Sequence, residues 1–253
     1  MFLGIITVTR NNLAGLKRTH ESLNQQVCRD FEWLVIDGAS TDGTPEYLNN
    51  LSSPSHCVGV GMGLLKYISE PDTGIYDAMN KGIERASGRY LLFLNAGDIL
   101  STPDVLEKLK SSISDEDFIY GDSLESGHYK KAASHNNIKF RMFTHHQSML
   151  YRRDPVGDLR YDTRYKIAAD YKFTAEFIQR SKDFLYCPIA LCDFEPGGIS
   201  QQQVTQGRRE QFRIRRDLGL CSLPVNVGIY GLQTLVMALR KGFPWLYWQL
   251  KNF

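Results

Sequence analysis

Tyr-Leu-Leu-Phe-Leu-Asn-Ala-Gly-Asp-Ile-Leu, residues 90–100, frames everything on either side of it. Tyr90 to Leu94 is a short apolar run of the kind a sheet buries on both faces, and it empties into small and polar residues ending at Asp98. In an open α/β sheet, ligands bind beyond the carboxyl ends of the strands. Asp98 therefore stands at the mouth of a site, with Ala96 and Gly97 leaving room beside it. One carboxylate there can share a divalent ion with substrate phosphates and water. A turn carboxylate that merely ends a strand has the same local sequence.

Upstream, Phe2 to Val8 reads as an apolar opening strand, closed by Thr7, Thr9 and Arg10, with Asn12 capping a helix to about Gln26. Phe31 to Asp37 is a second strand, followed by a turn and a helix capped by Thr44 with Pro45 at its first position. Asp42 caps or braces that turn. Residues 52–63 read as loop. Their alternating Gly59, Gly61 and Gly63 lack the spacing of a dinucleotide fingerprint, which disfavours a nicotinamide oxidoreductase. Leu64 to Ser69 is a third strand, and Ile75 to Ala86 a helix with Ile75, Met79 and Ile83 on one face. This alternation predicts an α/β fold with right-handed crossovers, a mainly parallel mixed sheet and helices on both faces.

Downstream, Pro103 is placed at the start of a helix, and residues 118–121, 129–133 and 147–152 read as shorter strands. A helix over 168–180, two short strands at 184–187 and 191–194 and an arginine-bearing helix follow. Arg208, Arg209, Arg213, Arg215 and Arg216 suit a solvated face, a diphosphate or anionic lipid. Residues 1–212 are read as one domain and 213–253 as an apolar, aromatic tail. Leu218 to Leu239 carries no charge, but its polar side chains and glycines make it packed or interfacial rather than membrane-spanning. The N-terminus lacks the pattern of a signal peptide.

A chain of 253 residues buries a sizeable core. Its formal net charge of +2 is spread out, which argues against a nucleic-acid partner. Five scattered cysteines form no zinc set and suggest a reduced, cytoplasmic protein.

Four polar strand ends, Thr9-Arg10, Asp37, Asp72 and Asp98, converge on one sheet edge, more than turns alone require. Such a crevice suits a nucleotide-linked phosphorylated ligand, with Asp37 accepting from a base or ribose. Val-Ile-Asp-Gly-Ala-Ser-Thr-Asp-Gly-Thr (35–44), Ser-Glu-Pro-Asp-Thr-Gly-Ile-Tyr-Asp-Ala-Met-Asn-Lys-Gly-Ile (69–83) and Phe-Leu-Asn-Ala-Gly-Asp (93–98) resemble family 2 glycosyltransferases of GT-A fold. The resemblance is nearest to the bacterial exopolysaccharide branch that includes the colanic acid type. It implies a nucleotide-diphosphate sugar donor, a Mg2+ or Mn2+ cofactor and a lipid-linked saccharide acceptor. It also implies a peripheral place on the inner face of the cytoplasmic membrane. By resemblance Asp37 binds the base, Asp72 and Lys81 line the donor pocket with Asn95, Ala96 and Gly97, and Asp98 is the metal acid. Asp170 matches the catalytic base; His146, Gln147, Gly198 and Ser200 lie near the acceptor or the diphosphate.

Two departures stand out. Asn95-Ala96-Gly97-Asp98 lacks the earlier acids of the usual metal motif, and Gly38-Ala39 replaces Asp-Gly after Asp37. The first motivates a second reading, a relative that binds nucleotide sugar or glycan without turnover. Asp170 also fits an acid that favours the start of its helix by about 0.3–1 kcal/mol. As a base, with no covalent nucleophile in view, it implies a single displacement with inversion.

Overall fold

The computed structural model describes residues 1–52, 64–195 and 197–242, with 199–200 and 239–242 as backbone only. The loop expected over 53–63, the side chain of Ser200, and Trp245, Tyr247 and Trp248 lie outside the described residues.

The first half is built as the apolar runs demand. β1 (Leu3–Thr9), β2 (Phe31–Asp37) and β4 (Tyr90–Phe93) are buried along their whole length. β3 (Leu64–Ser69) flanks β2, and these four strands are mutually parallel in the order β3-β2-β1-β4. Asn12 caps α1 (Leu13–Asn24) by accepting from Gly15 N at 3.0 Å. α2 (Thr44–Ser52) starts behind a brace: Asp42 accepts from Thr44 Oγ1 at 2.7 Å and from Leu13 N at 2.8 Å. α3 (Ile75–Arg85) lays Met79 and Ile83 on the sheet.

Strand alternation splits the core in two. Leu91 and Phe93 of β4 face α3, while Tyr90 and Leu92 face α1 and α2. Glu32, fully buried in β2, ties the α3–β4 turn, accepting from Gly88 N at 2.8 Å and from Lys66 Nζ at 2.8 Å. A Cβ on Gly88 would collide with the backbone of Gly4, so only glycine lets that turn sit against β1.

After β4 the sheet becomes mixed. β5 (Ile99–Leu100), β6 (Phe118–Glu125), β7 (His128–Lys130), β8 (Met149–Arg152) and β9 (Phe184–Phe194) extend it in the order β4-β8-β6-β9-β5, with β7 beside β6. Three local expectations need correction. β9 is one strand, not two, because Pro188 is absorbed where the register against β6 shifts, a place a ladder tolerates proline. Pro103 lies in the turn before α4 (Val105–Ser112), where its carbonyl accepts from Val27 N at 2.8 Å. Residues 146–148 form a 3-10 turn, so β8 begins only at Met149.

α5 (Arg153–Val156) and α6 (Ala169–Arg180) follow, with Phe173 and Phe177 of α6 in the α3-side core. α7 (Ile199–Gln202), α8 (Val204–Asp217) and α9 (Leu223–Gly242) close the described chain. α8 runs unbroken through residue 212, where the sequence suggests a domain end. The four described cysteines are all unpaired. Among the described residues, no helix is long and apolar enough to cross a membrane.

Candidate active site

Beyond the carboxyl ends of β1, β3 and β4, three hollows join into one cleft. The first, about 200 Å³, is lined by Thr9, Arg10, Asp72 and Gly74. The second, about 370 Å³, shares Thr9, Arg10 and Ile75 with it and adds Asn95, Ala96, Asp98 and Glu195. The third, about 220 Å³, shares Asn95, Phe194 and Gly198 with the second and reaches His146, Gln147 and Asp170. Residues from 8 to 201 in sequence thus line three adjoining hollows.

Asp98 is held from below. Thr19 of α1 donates to Asp98 O at 2.8 Å and accepts from Gly97 N at 3.0 Å. Gly97 takes φ +111°, and a Cβ there would collide with the Glu195 carboxylate, itself paired with Arg18. One Asp98 oxygen accepts from Glu195 N at 2.9 Å and the other from Gln147 Nε2 at 2.7 Å. Burial nevertheless raises its pKa to about 6, since those two donors recover only part of the lost hydration.

Asp170 sits in the first turn of α6 with 24% of its side chain exposed, open to the third hollow. It accepts from Tyr171 N at 2.8 Å and lies 3.5 Å from the Tyr76 hydroxyl and 3.8 Å from His146 Nδ1. Burial raises its pKa to about 6, and the charge of Glu210 adds to the rise. His146 is pushed down to about 4 by burial, so it is neutral near pH 7 and does not ion-pair with Asp170. His145 stacks on Phe194, centroids 4.6 Å apart, and forms part of the wall.

Buried polar atoms normally find a partner. Four of the exceptions among the described residues crowd this cleft: Thr9 Oγ1, Asn95 Oδ1, His146 Nε2 and Gln147 Oε1. Their residues line the three hollows, so unspent hydrogen-bonding capacity borders the cleft.

Three residues expected here stand elsewhere. Thr7 points into the sheet interior, donating to Leu94 O at 2.7 Å and accepting from Trp33 Nε1 at 2.9 Å. Lys81 lies on the outside of α3, where Glu70 at 2.9 Å takes its charge. Asp37 is fully buried below Gly38, and its carboxylate accepts from Ser69 Oγ at 2.6 Å and from Ser40 N at 3.1 Å. To meet a nucleoside, Asp37 would have to exchange one of these partners. Asp72, by contrast, reaches the cleft while accepting from Gly74 N at 2.9 Å. Gly198 lines two of the three hollows.

Other contributors carried no local signal. Tyr76 ties α3 to the segment before α6, donating to Ile167 O at 2.8 Å. Glu195 lines the second hollow beside Asp98, its N–H bonded to the Asp98 carboxylate and its own carboxylate paired with Arg18. Glu210 of α8 accepts from Ile167 N and Ala168 N, both at 2.9 Å, and fixes the approach to Asp170. Burial alone would raise the Glu210 pKa, but Gln206 and three backbone N–H groups outweigh it and lower it.

The donor set suits a hard cation. Asp98, Glu195 and the free Asn95 Oδ1 are all oxygen ligands, as Mg2+ and Mn2+ prefer. Among the described residues no cluster of three or more acidic, His or Cys ligands exists, so phosphate oxygens must complete any such site.

The family model for glycosyl transferase family 2 matches residues 4–169. A PGL/p-HBAD biosynthesis glycosyltransferase of Mycobacterium bovis is 31% identical over 225 residues, 85% of this chain and 86% of that protein. An uncharacterized glycosyltransferase of Bacillus subtilis is 21% identical, covering 98% of this chain and 96% of that protein. Among solved structures, S. aureus TarS 1-349 in complex with UDP superposes with a TM-score of 0.68 at 16% identity, over 94% of this chain and 72% of that one. The mannosyltransferase PcManGT from Pyrobaculum calidifontis, in complex with GDP-Man and Mn2+, gives 0.66 at 15% identity, over 99% and 78%. The fold is thus that of the GT-A transferases.

Proposed function

This chain belongs to glycosyl transferase family 2, and we propose that it moves a hexosyl group from a nucleotide-diphosphate sugar to a saccharide acceptor with inversion, in surface polysaccharide or glycolipid synthesis. The observation that carries this reading is the single cleft with Asp98 in its middle and Asp170 at one end, edged by four unsatisfied polar atoms.

The donor takes the first and second hollows, its nucleoside toward Asp72 and Arg10 and its diphosphate toward Asn95, Ala96 and Asp98. The α3 N-terminus, capped by a glycine without a side-chain bond, presents positive dipole to those phosphates. Asp98, with Asn95 and Glu195, would hold Mg2+ or Mn2+ against the diphosphate. Bound there, the ion would supply Lewis-acid relief of the charge that grows on the leaving nucleoside diphosphate. The acceptor enters the third hollow. Its hydroxyl oxygen bonds to the anomeric carbon as the glycosyl–phosphate bond breaks, and Asp170 takes the hydroxyl proton. His146, neutral and with Nε2 free, and the Gln147 Oε1 are positioned to accept from acceptor hydroxyls.

A panel of nucleotide sugars tests the reading by thermal shift and product formation. At 100 times Kd, the correct donor stabilises by about 2.7 kcal/mol, which for a chain of this size raises Tm by about 5–10 °C. NAD is expected to do nothing. Absence of any shift across the panel would sink the proposal. A shift with no transfer would favour the alternative of a binding protein without turnover, which the single-acid Asn95-to-Asp98 motif motivates.

A lipid-linked acceptor and a membrane surface fit α9. The face it turns inward is mixed: Asn226 accepts from Arg215 Nε at 2.7 Å and donates to Phe212 O at 2.9 Å, the Gln233 backbone carbonyl accepts from Arg208, and Tyr230 meets the Phe212 ring beside half-buried Ile229 and Met237. The side chains it turns outward are aliphatic, with Leu232 63% and Leu235 56% exposed beside Leu223, Val225, Val227 and Val236. That outer row is more apolar than the solvent face of a helix packed in water. Arg209, Arg213 and Arg216 share the solvent face of adjacent α8, which complements an anionic bilayer surface. The protein is expected to sediment with phosphatidylglycerol-containing vesicles, less so at high salt. Leu232→Asp with Leu235→Asp should abolish that, and binding that survives both changes would remove α9 from the contact.

A further inference from the structure

A fourth hollow of about 310 Å³ opens beside the acceptor end of the cleft, and nothing in the reaction above uses it. It shares Met142, Thr144 and His145 with the Asp170 hollow, so the two meet along the 142–145 segment. Its other lining residues include Lys130, Lys131 and Arg141, a strong concentration of positive charge for one small space. Glu125 occupies Lys130 at 2.8 Å. Among the described residues, no carboxylate comes within ion-pair distance of Lys131 or Arg141. At the base lies Ser123, 1% exposed, with a hydroxyl oxygen that has no hydrogen-bond partner.

Two exposed cations alone would be a solvated surface. The buried, unspent hydroxyl that lines the same hollow is different, because folding has removed it from water without providing a substitute. Together they form a donor-rich hollow: one ammonium, one guanidinium and one O–H converging on one volume, as phosphate oxygens require. Its place next to Asp170 relates it to the acceptor rather than to the donor, whose diphosphate belongs at Asp98.

We propose that this hollow binds a phosphate or diphosphate group carried by the acceptor, with Lys131, Arg141 and Ser123 as its contacts. The inference rests on the reading of the Asp170 hollow as the acceptor site. Anchoring the anion there fixes the distance from the acceptor's phosphate to the hydroxyl that meets Asp170. The enzyme would then select acceptors whose sugar lies close to a phosphate. That phosphate can belong to a lipid carrier or to a phosphorylated glycan, and the chemistry recognised is the same.

Calorimetric titration with inorganic pyrophosphate, and separately with farnesyl diphosphate, tests this on the full chain in chelator, free of nucleotide. Both probes should bind the wild type, and the Lys131→Ala, Arg141→Ala double variant should weaken both by tenfold or more. Ser123→Ala, which keeps the volume, gives a second and smaller loss, and unchanged Tm values exclude misfolding. Lys108→Ala, an exposed lysine on α4, should change nothing. Tighter binding of farnesyl diphosphate than of pyrophosphate would identify a lipid carrier; equal affinities would identify the phosphate alone. Equal affinities of wild type and double variant would overturn the proposal, since pyrophosphate would then sit in the donor cleft. So would failure of both probes to bind. Neither failure touches the donor panel, so a lost anion site and a lost transferase reading are told apart.

Discussion

Asp170→Asn is expected to lower kcat for sugar transfer by about 10²–10⁴, the usual worth of a positioned general base, with donor affinity unchanged. An acceptor hydroxyl is a poor nucleophile until its proton has somewhere to go. Asp170 is the partly exposed carboxylate of the third hollow, and burial lifts its pKa to about 6. Wild-type activity should therefore rise with pH through about 6 as the base ionises, whereas the residual activity of the variant should lack that limb.

Stability gives an independent arm of opposite sign. A carboxylate whose pKa is raised by folding holds its proton more tightly in the native state. Its favourable contribution is complete below the ordinary carboxylate range and is lost as pH climbs through about 6. Above that, ionised Asp170 works against folding by at most about 3 kcal/mol, with the bonds from Tyr171 N and Tyr76 already counted. The amide variant should therefore equal or exceed the wild type in Tm at about pH 8 and lose that margin by about pH 5. An acid kept only for its helix dipole would behave the other way, costing about 0.3–1 kcal/mol when neutralised. A variant with lower Tm at the alkaline end and undiminished transfer would remove Asp170 from the mechanism.

The legible part of this molecule is what local burial and local capping determine. β2 and β3 fall where the apolar runs and flanking turns put them, and Asn12 caps the helix it precedes, because each depends on neighbours a few residues away. The placement of Asp98 at a cleft follows from the same strand-end logic. What could not be read is contact across the fold. Gln147 grips Asp98 from 49 residues away, through a 3-10 turn that resembles the start of a strand. Glu195 joins the site only because β9 continues past Pro188 instead of breaking there. Asp37 shows the converse: a motif acid whose buried carboxylate is already taken by Ser40 and Ser69. Among the arginines of α8 a signal existed, since Gly207, Glu210 and Ile214 repeat at helical spacing and form the buried stripe together with Arg215, which is therefore not on the solvated face but bonded to Asn226. Charge masks that stripe when the helix is read as solvated.

Asp98→Asn should lower kcat by about 10²–10³, the cost of removing one charge-stabilising group from a reaction centre, and should abolish the dependence of donor binding on divalent ions. The substitution is mild for the fold. The introduced amide keeps one oxygen for Glu195 N–H, and its NH2 group meets Gln147, whose own amide can turn to offer the Oε1 that is unsatisfied now. Nor does neutrality cost anything, because burial already opposes the Asp98 charge. The loss should therefore appear in function alone. In the wild type, the thermal shift given by the correct nucleotide sugar should shrink on adding chelator; in Asp98→Asn it should be small with or without it. Because the described residues hold no cluster of three or more acidic, His or Cys ligands, divalent ion without donor should leave Tm unchanged, the diphosphate supplying the remaining ligands. A donor shift indifferent to chelator in the wild type would sever Asp98 from any metal role, and would leave the α3 N-terminus and Arg10 to balance the diphosphate charge on their own.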